Sequence, residues 1–275
     1  MNTCTSIPFR LRLAILLPAV LLSVLPATAQ PAARSGKRAA GTRVVAHRGY
    51  WDTEGSAQNS IAALQKAQAL NIYGSEFDVN RTLDGQLVIA HGPMEQGVEL
   101  QKVNSEALSG LRLKNGEKLP TLEEYLACAK KDKKTRLVLE LKPHDTPELE
   151  DIAIREIIAM LNKYGLTKQT DFISFSLHAC WEFARLMPGN SVAYLDGKYS
   201  PAELKQLGIN GLDYHYSEFE KHPEWVKQAH DLGMSVNVWT VNAQDQLQKM
   251  IDLGVDFLTT NDPVLAKRLV AESGK

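Results

Sequence analysis

The chain has 275 residues, of which 44% are hydrophobic, with 31 Lys and Arg against 32 Asp and Glu. Setting aside Arg10 and Arg12, which flank an N-terminal apolar run, 29 basic residues face 32 acidic ones, a formal charge of −3. That balance supplies no field for non-specific binding to nucleic acid or an anionic membrane, so recognition of any phosphate must be local.

From the N-terminus, Leu13 to Leu25 is an almost unbroken apolar run, and Ala27-Thr28-Ala29 has the small-x-small pattern of a cleavage site. The run is shorter than the about 20 apolar residues that span a bilayer. Residues 1–29 are therefore expected to be a signal peptide, with a tethered N-terminus as the alternative. Cys4 precedes the apolar run, which argues against a lipoprotein anchor. The mature protein is expected to be exported to periplasm or medium, with no stable membrane insertion after cleavage. Residues 30–43, small, polar and aperiodic, read as a flexible leader, and residues 44–275 as one domain.

From Val44 onward short apolar runs alternate with segments of helical period. The predicted strands are Val44–Ala46, Ser75–Val79, Leu87–Ala90, Leu137–Leu141, Phe172–Phe175, Val192–Leu195, Gly211–Tyr214, Val236–Trp239 and Phe257–Thr259. If the run at Leu87 hairpins back on the second strand, eight principal strands remain. Thr121 with Glu124 and Ser200 with Glu203 have capping-box spacing. Thr146-Pro147, Ser200-Pro201 and Asp262-Pro263 each set a cap before a proline at the first helical position. Ile154, Ile157, Ile158 and Leu161 form an apolar stripe ending at Gly165, and Leu247, Met250 and Ile251 another ending at Gly254. Alternation on this scale predicts an α/β fold, a TIM-type (β/α)8 barrel with a small insertion, about residues 92–120, after the second strand; a doubly wound open sheet is the rival. Cys128 and Cys180 show no zinc-site spacing with histidine, and whether they pair is open.

Polar residues gather at the downstream ends of these strands, where barrels collect catalytic groups. The first strand runs into His47-Arg48-Gly49, and Leu87–Ala90 into His91-Gly92. Glu76 and Asp78, two apart on a strand, share a face, as do Glu140 and Lys142. Taken singly, His47, Arg48 or His91 is as well read as a loop or surface residue. Two carboxylates on one buried face repel each other, however, and a divalent cation relieves that repulsion, with Glu140 offering a third oxygen.

In this arrangement the sequence resembles the glycerophosphodiester phosphodiesterase family. The resemblance lies in His47-Arg48-Gly49, Glu76-Phe77-Asp78-Val79, His91-Gly92 and Leu139-Glu140-Leu141-Lys142, with weaker landmarks at Ser174-Phe175, Val238-Trp239-Thr240 and Thr259-Thr260-Asn261-Asp262-Pro263. It implies a TIM barrel that hydrolyses small glycerophosphodiesters, such as glycerophosphocholine or glycerophosphoethanolamine, to an alcohol and glycerol 3-phosphate. It further implies one divalent cation (Mg²⁺, Ca²⁺ or Mn²⁺) on Glu76, Asp78 and Glu140, and an acid–base pair of His47 and His91, with His47 favoured as base. Arg48 and Lys142 would neutralise the phosphate. Gln58-Asn59-Ser60 departs from the family pattern, since Gln58 stands where a glutamate is usual; Gln58 and Asn59 are expected just behind the site. Trp239 either floors the pocket against the alcohol or packs in the core. His178 and His215, after the fourth and sixth strands, are candidates for the barrel mouth, and His144, His222 and His230 read as surface. Rival readings are a phospholipase D-like lyase that stops at a cyclic phosphate, and a non-catalytic binding barrel.

Overall fold

The structure, a computed structural model, describes Met1 and residues 41–274. The expected signal peptide and nearly all of the leader lie outside the described residues. Eight strands, β1 (Arg43–Ala46), β2 (Gly74–Arg81), β3 (Arg136–Leu141), β4 (Thr170–Ser174), β5 (Val192–Tyr194), β6 (Gly211–His215), β7 (Ser235–Trp239) and β8 (Phe257–Thr260), pair in parallel in sequence order. β8 then pairs with β1 (Val45↔Thr259) and β1 with β2 (Val45↔Gly74). The ring is closed, which decides for the TIM-type (β/α)8 barrel over an open sheet.

Strand alternation sorts the side chains. Val45, Val138, Ile173, Ala193 and Leu195 cluster in the barrel interior with Phe175 and Trp239. Their neighbours, among them Val44, Leu137, Leu139, Phe172, Leu212, Val236 and Leu258, pack outward on the helices. Each such side chain, once fully buried, contributes about 1.5–3 kcal/mol. The helices begin where their caps predict. Thr121 opens the helix Leu122–Ala129 and Ser200 the helix Pro201–Gln206 with reciprocal capping boxes, and Thr146 caps a helix with Pro147 in its first turn. In that helix, Pro147–Tyr164, the stripe of Ile154, Ile157 and Leu161 is buried, and Gly165 ends it at φ +69°. Here α1 is Ile61–Ala69, α2 Leu122–Ala129, α3 Pro147–Tyr164 and α4 Leu177–Leu186. Cys128 on α2 and Cys180 on α4 are buried free thiols. Among the described residues no helix is long and apolar enough to cross a membrane.

Two features place the site. Leu87–Ile89 returns antiparallel along the far end of β2 (Val79↔Ile89, Arg81↔Leu87), so the chain comes back to the barrel mouth. The insertion that follows folds over a small core of its own, Val88, Ala90, Leu100, Leu108 and Leu119. It is fastened to α1 by Glu117, whose carboxylate accepts from the amides of Ile61 (3.0 Å) and Ala62 (3.3 Å), two donors that a helix start leaves unpaired.

The second feature is the loop after β1. Gly49 has φ +77°, and a Cβ there would lie 2.7 Å from Ala63 Cβ and 2.8 Å from Ala63 C, so only glycine lets this loop lie on α1. Gly49→Ala should therefore destabilise the fold by roughly 2–4 kcal/mol from overlap and strain. At about 2–4 °C per kcal/mol for a domain of this size, thermal unfolding should show it plainly. A variant melting within about 2 °C of wild type would mean that the loop relaxes freely.

Candidate active site

The site grows from that loop. His47 N extends the β1–β8 pairing by one bond, to Thr260 O (3.0 Å). Arg48 (φ 55°) and Gly49 then turn in the left-handed region, which aims Arg48 N at Glu76 Oε2, 2.7 Å away. Asn59, also left-handed at φ 62°, holds the next carboxylate: its Nδ2 donates to Asp78 Oδ2 (2.8 Å), and its Oδ1 accepts from Asp78 N (3.2 Å). Asn59 N in turn donates to Arg48 O (3.0 Å). Gln58 Oε1 accepts from Arg48 Nη1 at 2.6 Å.

Glu76 and Asp78 point into the barrel from β2, and parallel register sets Asp78 beside Glu140 of β3. All three carboxylates are buried, and one oxygen from each lies within 4.8 Å of the others. Lys142 Nζ donates to Glu140 Oε1 (2.5 Å) and Asp78 Oδ1 (3.3 Å), and Arg48 Nε lies 3.7 Å from Asp78 Oδ2. Two cations thus face three carboxylates. Burial and then the charge of Asp78 raise Glu140 to about 8. Burial, Asp78 and Glu140 together push Glu76 well above the carboxylate range. Asp78 goes the other way: burial alone would raise it, but Lys142, His91, Asn59 and Arg48 outweigh burial and hold it low. Glu76 Oε1 is buried without a hydrogen-bond partner. An all-oxygen donor set, carboxyls crowded enough to raise one another's proton affinity and an orphaned carboxyl oxygen fit a hard divalent cation.

His91 sits at the end of the returning strand. Asn80 Nδ2 donates to the carbonyls of Ala90 (2.7 Å) and Gly92 (3.2 Å), gripping the chain on both sides of it. Burial and the charge of Arg48 lower both His47 and His91 to about 4, so both imidazoles are neutral at rest. A cavity of about 220 Å³ at the barrel mouth is lined by His47, Arg48, Glu76, His91, Glu140, Phe175 and Trp239. A second, of about 690 Å³, lies between residues 51–59 and the insertion; Trp51, Asp52, Glu95 and Arg112 line it, together with Gln58, Asn59 and His91. His91 is common to both. Trp239 contributes to both readings made of it. It faces the inner cavity, while its ring packs edge-on against Phe175 and its Nε1 donates to Asp213 O (2.8 Å).

The remaining histidines meet expectation unevenly. His178 lies on α4 and pairs with Asp151 (2.8 Å), away from the inner cavity. His215 packs edge-on against Trp239. Of the three expected on the surface, all are partly buried, and His222 has the most accessible side chain. His230 is largely buried, with Nε2 3.0 Å from Asp256 Oδ2, and His144 is partly buried with Nδ1 2.8 Å from Lys142 O. Residues without a role in the sequence reading also stand at the site. Asn261 holds His47 Nδ1 at 2.8 Å. Asp213, fully buried on β6, accepts from Asn237 Nδ2 (2.9 Å) and lines the inner cavity. An acid between Leu212 and Tyr214 in an otherwise apolar strand was the available signal.

The profile of the glycerophosphoryl diester phosphodiesterase family matches residues 47–265, and the chain belongs to that family, whose members hydrolyse glycerophosphodiesters. A glycerophosphodiester phosphodiesterase of Caldanaerobacter subterraneus is 27% identical over 250 residues, covering 85% of this chain and 99% of that one. The crystal structure of a glycerophosphodiester phosphodiesterase from Parabacteroides distasonis is 51% identical, with a TM-score of 0.84 over 86% of this chain and 99% of that one. A phosphodiesterase of Oleispira antarctica, solved with the product sn-glycerol-3-phosphate, shares the fold at 24% identity and a TM-score of 0.72, covering 84% of this chain and 97% of that one.

Two outcomes follow from the electrostatics. Burial and mutual repulsion raise Glu76 and Glu140 in the cation-free site, Glu140 to about 8, so binding a divalent cation should expel protons. Calorimetric titration with Mg²⁺, Ca²⁺ or Mn²⁺ in buffers of different ionisation enthalpy should show proton release at pH 7, with affinity rising as pH rises through about 8. Buffer-independent heats would contradict it. Burial alone raises Asp213 to about 7, so the native state binds that proton more tightly than the unfolded chain does, and Asp213 costs stability as pH rises towards and through 7. Asp213→Asn keeps an acceptor for Asn237. Its gain in melting temperature over wild type should be near zero at pH 4 and at least ~2 °C at pH 8. A gain independent of pH would show that Asp213 does not titrate there.

Proposed function

We propose that the chain hydrolyses glycerophosphodiesters bearing small polar alcohols, such as glycerophosphocholine and glycerophosphoethanolamine, to the free alcohol and glycerol 3-phosphate. The observation that carries this reading is the convergence on one cavity at the barrel mouth of two neutral histidines, Arg48, Glu76 and Glu140, with Asp78 and Lys142 held directly behind them. The product bound to the Oleispira protein supports the same chemistry. Glu76, Asp78 and Glu140 would hold one divalent cation, which supplies charge stabilisation at a phosphoryl oxygen when bound. Arg48 and Lys142 would face the remaining phosphate charge. Export of the protein is proposed on the sequence of residues 1–29 alone.

In this reading His47 removes a proton from the attacking hydroxyl, that of water or of the substrate's own glycerol, the latter giving a cyclic phosphate whose ring P–O bond water then breaks to leave glycerol 3-phosphate. The hydroxyl oxygen bonds to phosphorus, the bond from phosphorus to the alcohol oxygen breaks, and His91 delivers a proton to that oxygen. His91 lines both cavities, so the glycerophosphoryl half belongs in the inner cavity beside Trp239 and Phe175, and the departing alcohol in the outer one. Neutral at rest, His91 gains its proton as the phosphodiester anion enters beside it, since a neighbouring anion favours the imidazolium. His47, whose low value keeps it unprotonated, is already in the form a base requires.

A coupled assay for glycerol 3-phosphate on glycerophosphocholine tests the reaction. Release should need an added cation, stop with chelator, and be lost in Glu76→Ala. Phosphorus NMR showing a cyclic phosphate as the end product would instead make the protein a lyase. The two histidines separate by leaving group. His91→Ala should lose about 10²–10⁴-fold on glycerophosphocholine but little on a glycerophosphodiester of p-nitrophenol, whose anion departs without a proton; His47→Ala should lose on both. The opposite pattern would exchange the roles.

A further inference from the structure

The late landmark around Asn261 has no assigned task, yet its side chain touches His47. His47 Nδ1 is 2.8 Å from Asn261 Oδ1, and Trp51 Nε1 is 3.3 Å from that same oxygen. An amide's oxygen and nitrogen have nearly the same shape, so contact with histidine alone would not say which one faces the ring. Trp51 removes the ambiguity. An indole N–H only donates, so the atom it meets must be the amide oxygen. An oxygen that accepts from Trp51 can only accept from His47 as well, so Nδ1 carries the hydrogen. In a neutral imidazole the lone pair then resides on Nε2. Asn261 is itself anchored, since its backbone N donates to Asn242 Oδ1 (2.9 Å), which also accepts from Thr260 Oγ1 (3.3 Å). His47 is tied to the same strand end through Thr260 O.

We propose that Asn261, oriented by Trp51, is a positioning residue that locks His47 in its Nδ1–H tautomer and presents Nε2 as the basic nitrogen. This rests on the assignment of His47 as base. It adds how the base is made ready: without the acceptor, imidazole reverts to the Nε2–H tautomer that it favours in water, and the lone pair faces Asn261 instead of the nucleophile. Trp51 also lines the outer cavity, so the loop that shapes the alcohol's space also sets the state of the base.

The test is the long-range ¹H–¹⁵N correlation spectrum of the full mature chain with ¹⁵N-labelled histidine, recorded at pH 7 without substrate, His47 being identified by its loss in His47→Gln. The expected result is a protonated-type Nδ1 and an unprotonated-type Nε2. Asn261→Leu should reverse the tautomer and lower kcat by ~10²–10⁴-fold, with KM within a few-fold. Asn261→Asp, which still accepts from both donors, should keep the tautomer and hold kcat within about tenfold of wild type. An Nε2–H His47 in the wild-type spectrum overturns the inference, as does an Asn261→Asp variant as slow as Asn261→Leu. An Nδ1–H signature beside a fully active His47→Ala would overturn the base role itself, a failure that the same spectra keep distinct from a wrong tautomer.

Discussion

Three carboxylates held within 4.8 Å of one another in a buried barrel mouth are the constraint on which the rest of this structure depends. Taking a carboxylate out of water costs several kcal/mol, and setting two more beside it adds repulsion that low polarity leaves unscreened. Left-handed backbone at Arg48 and Asn59 costs about 1–3 kcal/mol each. The hydrogen bonds that these strained turns aim at the carboxylates offset part of the first cost. The turn at Arg48 aims a backbone amide at Glu76, and the turn at Asn59 lets one side chain both donate to and accept from Asp78. Strain in the β1–α1 loop is therefore part of how the carboxylates stay buried, and Gly49 completes it by letting the loop lie against α1.

Barrel closure supplies the remaining partners. Parallel register between β2 and β3 sets Asp78 beside Glu140, and one further inward position along that strand brings Lys142 to both. The antiparallel return of Leu87–Ile89 brings His91 to the same level, which no parallel connection of that length could do. Glu117 then closes a circuit of a different kind. The insertion that walls the outer cavity is bonded to the start of α1, the helix on which the Arg48 loop rests. The insertion and the Arg48 loop thus share α1 as their support.

How much of this was legible in the sequence follows from the range of the interactions. Strand positions, capping boxes and the shared face of Glu76 and Asp78 are consequences of local periodicity, and all appear where the pattern puts them. The pairing of Gln58 with Arg48 spans ten residues and was within reach of motif reading. Asn261 with His47 spans 214 residues and exists only because β8 closes on β1, so nothing near either residue announces it. His230 was misread for a related reason: a helical position that looks solvated becomes buried once Asp256, 26 residues on, supplies a partner. Asp213 was legible as an oddity in its strand, but its meaning, a carboxyl at the edge of the substrate cavity, needed the barrel.

The one departure from the family pattern can be understood in the same electrostatic terms. A neutral acceptor at Gln58 fixes the Arg48 guanidinium without cancelling its charge. That charge lies 3.7 Å from Asp78 and lowers the proton affinity of both His47 and His91. A glutamate at 58 would pair with Arg48, weaken its effect on the histidines and let both take up protons at higher pH. It would also add a fourth carboxyl group to a site where three already raise one another's proton affinity. With glutamine, Arg48 keeps its bonded partner while its charge stays directed at the carboxylates. The substitution therefore favours a neutral His47 over a wider range of pH, whereas the bond to Asn261, which by itself raises His47, selects which nitrogen of that neutral ring carries the hydrogen.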